Sequence, residues 1–375
     1  MFALILLHHI VIFLLSQILI SVQPVTGDAT QNAGKTVLNI KGKGPEPVLG
    51  LGDYAYEPTA TCWFDKISDI KSKTRIAIGN HEDDDDEGFS TYMSKFGLSK
   101  TYYSFNYNNV HILVIDTDRV SYSSGSSQYN FVKNDLQVAS QNSNIQWIII
   151  YLHKPFYTSA NTCNSSSCSN TGSTTKDLRD TYHSMFDKYG VDVVLQGHVH
   201  NYQRTYPVKY DGTSTPTITS SSSTNYNNPT GEIFVTAGTG GVNIHGLSGK
   251  ASFVKYQQDD KFGALNLIIS NNGYKLTGKY YTNDGSKKDE FSISKSSTTT
   301  STTFPTTSTN LTISNYNYGP SLTLSGEDGL SDQDIGIEND DGGKHLGLQK
   351  GKGKGLDCAH FTQQGPVRCR SPDGQ

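Results

Sequence analysis

Four short blocks hold the side chains best suited to chemistry: GDYAY (52–56), GNHE (79–82), YLHKP (151–155) and GHVH (197–200). Together they offer Asp53, Tyr56, Asn80, His81, His153, His198 and His200, that is, one carboxylate, one phenol, one amide and four imidazoles. A carboxylate can bridge two cations, imidazoles are borderline-soft nitrogen donors, and an amide oxygen adds a neutral ligand, so this mixture suits two transition-metal ions. Gly52 permits the tight turn that Asp53 needs. In an extended chain the H-x-H spacing puts His198 and His200 on one face, where they can address two ions about 3.5–4 Å apart. Water held between such ions is the expected nucleophile. Taken singly, Asp53 reads equally well as a turn cap and His153 as the end of a strand; together, the four blocks argue against that bland reading.

Something must bring the blocks together. Each closes an apolar run: PVLGLGDYAY (47–56), RIAIGNHE (75–82), IQWIIIYLHKP (145–155) and VDVVLQGHVHNYQR (191–204). Between them lie stretches of helical spacing, with Trp63, Ile67 and Ile70 within 63–73 and Leu178, Tyr182 and Met185 within 176–189. Strands alternating with helices predict βαβ units and parallel pairing. Every block falls at a strand's C-terminal end, where open α/β sheets bind ligands. From Gly231 to Ser294 the pattern turns antiparallel, with NNG and NDG turns between alternating strands. A second sheet is expected to complete the domain there.

In this order, and behind these strands, the blocks resemble those of the calcineurin-like metallophosphoesterases, and the Tyr of GDYAY narrows the resemblance to purple acid phosphatases. It covers roughly residues 28–295. It implies an α/β (α+β) fold, a four-layer αββα sandwich of two mixed sheets flanked by helices. It also implies an acid phosphatase-type hydrolase of phosphate monoesters with a dinuclear centre, Fe(III) plus a divalent Fe, Zn or Mn. Carried over by motif, Asp53 would bridge the metals, Tyr56 and His200 would bind the ferric ion, and Asn80, His153 and His198 would bind the divalent ion. His81 would stand unligated above them as proton donor, since an imidazole titrates near mildly acidic pH. The family's opening D-x-G or D-x-H motif is altered here to VTGDATQ, with Asp28 taken as the first iron ligand. Two other functions compete: a phosphodiesterase or nuclease using two divalent ions, and a non-catalytic surface protein with a decayed phosphatase fold.

Other residues receive lesser roles. Asn201 and Arg204 follow GHVH; Arg204 either pairs a phosphate oxygen or anchors its loop to an acidic neighbour. The acidic run 82–87 reads as solvated. His111 is expected to be a satisfied core residue, Asp116 and Asp118 to cap a loop, and His183, His245, His345 and His360 have no assigned role.

Composition bounds the rest. Among 375 residues, 34% are hydrophobic and 18% charged, and a net charge of −4 offers no general footprint for nucleic acid. Low apolar content with abundant Ser, Thr, Asn and Tyr suggests a secreted or cell-surface, loop-rich protein. Residues 1–22 read as a signal peptide or N-terminal membrane anchor, 23–295 as the catalytic domain, 296–309 as a Ser/Thr-rich linker, and 310–375 as a disordered or truncated β-module. The five cysteines form no metal pattern; Cys163 and Cys168 could staple a loop or remain thiols. Expected substrates are small phosphate esters or phosphoproteins.

Overall fold

The computed structural model describes residues 10–15, 28–56, 60–83, 86–159, 173–222, 224–247 and 249–296, all within one compact unit. The linker beyond 296, the C-terminal extension and four of the five cysteines lie outside the described residues.

Sixteen described strands and six α-helices run in this order: β1 (Ile10–Leu15), α1 (Asp28–Lys41), β2 (Val48–Gly50), α2 (Thr61–Lys66), β3 (Thr74–Ile76), α3 (Asn80–Asp83), α4 (Asp86–Phe96), β4 (Tyr103–Tyr107), β5 (Val110–Ile115), α5 (Ser127–Gln141), β6 (Trp147–Leu152), α6 (Ser173–Tyr189), β7 (Val193–Gln196), β8 (Tyr202–Thr205), β9 (Val208–Lys209), β10 (Thr217–Ile218), β11 (Asn225–Asn227), β12 (Ile233–Ala237), β13 (Val254–Gln258), β14 (Gly263–Ser270), β15 (Lys275–Thr282) and β16 (Lys287–Ser294). Two seven-stranded mixed sheets result, ordered β11-β16-β15-β14-β1-β2-β3 and β13-β8-β12-β7-β6-β5-β4.

The layering follows from strand periodicity. In β6 every residue is buried, and alternate side chains serve different layers. Trp147, Ile149 and Tyr151 join Leu49, Leu265 and Leu267 in the core between the sheets. Ile148, Ile150 and Leu152 pack outward against Leu136 of α5 and Leu178, Tyr182 and Phe186 of α6. On the other side, Val48 and Ile76 meet Ala33, Val37 and Ile40 of α1, Trp63 of α2 and Tyr92 of α4. Strands covered on both faces read as unbroken apolar runs, which is why the sequence displayed them. Ser126 starts α5, its Oγ accepting the Tyr129 amide at 3.1 Å. The expected four layers are the layers observed.

One expectation is corrected here. The antiparallel strands after Gly231 do not build a separate sheet: β14, β15 and β16 extend the sheet that holds β2 and β3, while β12 and β13 join the other. Within the apolar opening, Ile10–Leu15 forms β1. Ile10–Leu15 pairs antiparallel with β14, Ile10 opposite Ile269, and parallel with β2, Phe13 opposite Val48. β1 is thus an internal strand of its sheet, bonded on both edges. Among the described residues no helix is long and apolar enough to cross a membrane.

Candidate metal centre

The four blocks converge from two sheets, not one. β2 and β3 are parallel neighbours in the first sheet, and β6 and β7 are parallel neighbours in the second. Their C-terminal ends carry Asp53, Asn80, His153, and the pair His198 and His200. Close approach requires small residues. Gly52 sits at φ +88°, and a Cβ there would lie 2.6 Å from His153 Nδ1; a Cβ on Gly79 would lie 2.4 Å from Asp53 Oδ1. Asp53 (φ 56°) and His198 (φ 63°) are both left-handed, a cost of order 1–3 kcal/mol each. Fully burying a single Leu or Ile contributes about 1.5–3 kcal/mol, so the inter-sheet core readily carries this strain.

Donor atoms gather on two sides of one carboxylate. On the first side, His153 Nε2 lies 3.0 Å from Asn80 Oδ1 and 3.1 Å from His198 Nδ1, and Asn80 Oδ1 lies 3.0 Å from His198 Nδ1. Asp53 Oδ2 is 3.2 Å from His153 Nε2. On the second side, the Tyr56 hydroxyl is 3.3 Å from the same Asp53 Oδ2 and 3.1 Å from His200 Nε2. The far ring nitrogens are spoken for: His153 Nδ1 donates to the Leu51 carbonyl at 2.7 Å, and His200 Nδ1 to the Asn243 carbonyl at 2.8 Å. Such backbone bonds fix the tautomer that leaves Nε2 free to ligate.

This donor set fits two metal ions. Ligand bonds of about 2.0–2.2 Å place the ligand atoms around an ion at the separations found here. Without cations, acceptor faces acceptor. Protonation answers part of that conflict: burial works against a charged His153, yet the Asp53 carboxylate raises it to about 9. Burial also pushes Asp53 up, but His153 and then His81 outweigh it and hold the carboxyl well below the usual range. Burial, reinforced by His153, lowers His198 to about 4; burial, reinforced by His245, lowers His200 to about 3. Both are therefore neutral imidazoles at ordinary pH, the form that binds metal.

His81 donates its backbone N–H to Asp53 Oδ1 at 3.0 Å. Its half-buried ring lies against Tyr56, with centroids 3.9 Å apart. Asp28, taken from the resemblance as the first iron ligand, opens α1 and is separated from β1 by residues 16–27; its side chain is outside the described set.

Several minor expectations change. Glu82 does not belong to a solvated run: it is 1% exposed and accepts the amides of Asp53 (2.7 Å), Tyr54 (2.6 Å) and Gly79 (3.0 Å). Burial, then the Asp53 charge, raises its carboxyl to about 8. Arg204 is turned away from substrate; its guanidinium is buried in a two-point pair with Asp289 (2.6 and 2.8 Å) and bonds the Tyr226 hydroxyl. Asn201 is fully buried, its amide spent on the His245 carbonyl and on Gln203. His245, given no role, stacks on His200 with centroids 4.0 Å apart and an interplanar angle of 8°. Asp116 caps its loop as expected, Oδ1 accepting the Asp118 and Arg119 amides. His111 is a satisfied core residue between Asn106 and Asp135.

Residues 27–202 match the family model described as Calcineurin-like phosphoesterase. Among curated relatives, "Probable inactive purple acid phosphatase 1" of Arabidopsis thaliana is 28% identical over 206 residues, covering 54% of this chain and 32% of that protein. "Purple acid phosphatase 15" of the same plant is 26% identical over 201 residues, covering 50% and 33%. The chain thus spans about a third of the length of these two relatives. A purple acid phosphatase from yellow lupin (Lupinus luteus) seeds shares the fold, with a TM-score of 0.63 at 22% identity over 77% of this chain and 54% of that one.

Proposed function

We propose that this domain hydrolyses phosphate monoesters at a dinuclear centre bridged by Asp53. One observation carries the reading: Asn80, His153 and His198 converge on one side of the Asp53 carboxylate, and Tyr56 and His200 on the other. Bound there, two ions would neutralise phosphate oxygens and supply hydroxide near neutral pH. The chain's own residues do the rest. Asp53 holds both ligand sets in register, Leu51 and Asn243 fix the His153 and His200 rings through backbone carbonyls, and Gly79 leaves room for that carboxylate. His81 stands beside Tyr56, placed to donate a proton to the leaving oxygen. A ferric ion on the Tyr56 side, a divalent ion of Fe, Zn or Mn on the other, and small phosphate esters or phosphoproteins as substrates complete the proposal.

His81→Ala is expected to lower turnover of a chromogenic phosphate ester roughly 10²- to 10⁴-fold, the range of general acid catalysis, with metal content intact. Metal loss in step with activity would make His81 a ligand or a structural residue instead.

The non-catalytic alternative draws on the altered Asp28 motif, and one relative is itself named as inactive. Equal, background-level ester cleavage by wild type and Asp53→Asn would establish it. A secreted or cell-surface location is likewise proposed, from composition. Because β1 is bonded into the sheet, we expect an exported form to keep Ile10–Leu15, and the mass of the mature N-terminal peptide checks this.

A further inference from the structure

A second cluster of metal-ligating side chains lies outside the centre just described and shares no residue with it. His183 and Asp187, four residues apart, lie on one face of α6. Glu232, immediately before β12, faces them. One ligand atom from each of the three lies within 4.8 Å of the others. Backbone bonds in both directions with Val208, at 2.9 and 3.0 Å, pin Glu232 in place.

The polar atoms here do not balance. His183 and Glu232 are both 0% exposed. His183 Nδ1 is 2.8 Å from the Tyr157 hydroxyl, and its Nε2 is 3.1 Å from Glu232 Oε2. Asp187 Oδ2 accepts the Tyr210 amide at 3.0 Å. Glu232 Oε1 and Asp187 Oδ1 are buried with no hydrogen-bond partner outside the cluster; burial, then the Asp187 charge, raises the Glu232 carboxyl well above its usual range, and in its neutral form it hydrogen-bonds Asp187. Among the described residues no lysine or arginine pairs with either carboxylate, and the nearby Arg179 is engaged by Asp180 at 3.0 Å. Burial, then Arg179, lowers His183 to about 3, so the ring brings no positive charge to the cluster. Choosing a His183 tautomer can satisfy Glu232 Oε2 but neither of the orphaned oxygens. A buried carboxylate oxygen left unpaired is costly, and so many converging acceptors call for a positive charge, supplied either by a metal ion or by a proton shared between the two carboxyls.

We propose that His183, Asp187 and Glu232 form a separate site for a divalent metal ion, with zinc as the reference occupant. One imidazole and two carboxylates make an N,O donor set suited to such an ion. With Nδ1–H donating to Tyr157, the His183 Nε2 lone pair faces the metal, the outer support that metal-binding histidines usually have. Asp187 is half-buried, giving the ion a route from solvent. The ion would tie α6 to the start of β12, a structural rather than catalytic task. The occupant that competes is a single proton shared by the two carboxyl groups.

The test is zinc stoichiometry of the purified protein, by elemental analysis after equilibration with zinc chloride and removal of free metal. Wild type should hold one equivalent more than Asp187→Asn and one more than Glu232→Gln, while ester cleavage by Asp187→Asn stays within about twofold of wild type. Asp187, being nearer solvent, keeps the test valid should the buried Glu232 variant fail to fold. Equal zinc content in wild type and Asp187→Asn would overturn the site and assign the cluster to a shared proton. Because Asp187 is remote in role from Asp53, this outcome is separable from failure of the phosphatase reading.

Discussion

Asp53→Asn should lose phosphate ester cleavage and metal together. Supporting residues around a metal typically cost 10- to 100-fold when removed, and the Asp53 carboxylate is in contact with both ligand sets. Its loss is therefore expected to exceed roughly 100-fold in turnover, with metal content falling in parallel. The amide keeps the shape but surrenders the charge that offsets two cations. Since His81 also leans on Asp53 through its backbone N–H, the variant disturbs the donor as well. Steady-state kinetics and elemental analysis on one preparation decide the matter. A variant that retains full metal content but loses activity would limit Asp53 to a catalytic role without ligation.

Glu82→Ala carries the second large expectation, and it separates positioning from ligation. Glu82 holds three buried amides, on Asp53, Tyr54 and Gly79. Leaving such groups unsatisfied costs about 1–3 kcal/mol apiece, so even with partial relaxation a loss of about 3 kcal/mol is expected. For a domain of this size that corresponds to a fall of about 6–12 °C in Tm. Metal affinity should drop roughly 10- to 100-fold, as for other outer supports, because the Asp53 turn is no longer held. Glu82→Gln keeps one accepting oxygen and should recover part of both losses. Thermal melts and metal titration of the three proteins measure this; an alanine variant with wild-type Tm and affinity would return Glu82 to the solvated acidic run.

Both expectations bear on what could be read from the sequence. Strands β2, β6 and β7 were legible because burial on both faces writes an unbroken apolar run ending on a motif, whereas β3, an edge strand with Arg75 exposed at its centre, was marked by the apolar residues 76–78 just before GNHE. Their distribution between two sheets was not legible, since pairing of β14 with β1 joins residues more than two hundred positions apart. The pairing of β1 was no more legible, for an internal strand and a leader's hydrophobic stretch follow one apolar pattern. Glu82 was hidden by its company: Asp83 to Glu87 continue the acidic run, and nothing local says that the first member turns inward. GNHE itself held the usable signal, because a Glu three residues after Gly79 can reach back to amides at the start of its own turn. Arg204 was undecidable without Asp289, 85 residues away. His183 and His245 were passed over as lone histidines, since their partners Glu232 and His200 lie on other elements.

Crystals soaked in manganese chloride, with anomalous difference maps phased on the protein, test the shared-carboxylate claim most directly. Two peaks about 3.5–4 Å apart are expected astride Asp53 Oδ2, one near Asn80, His153 and His198 and the other near Tyr56 and His200. A single peak at Asp53, or none under saturating metal, would contradict the dinuclear centre.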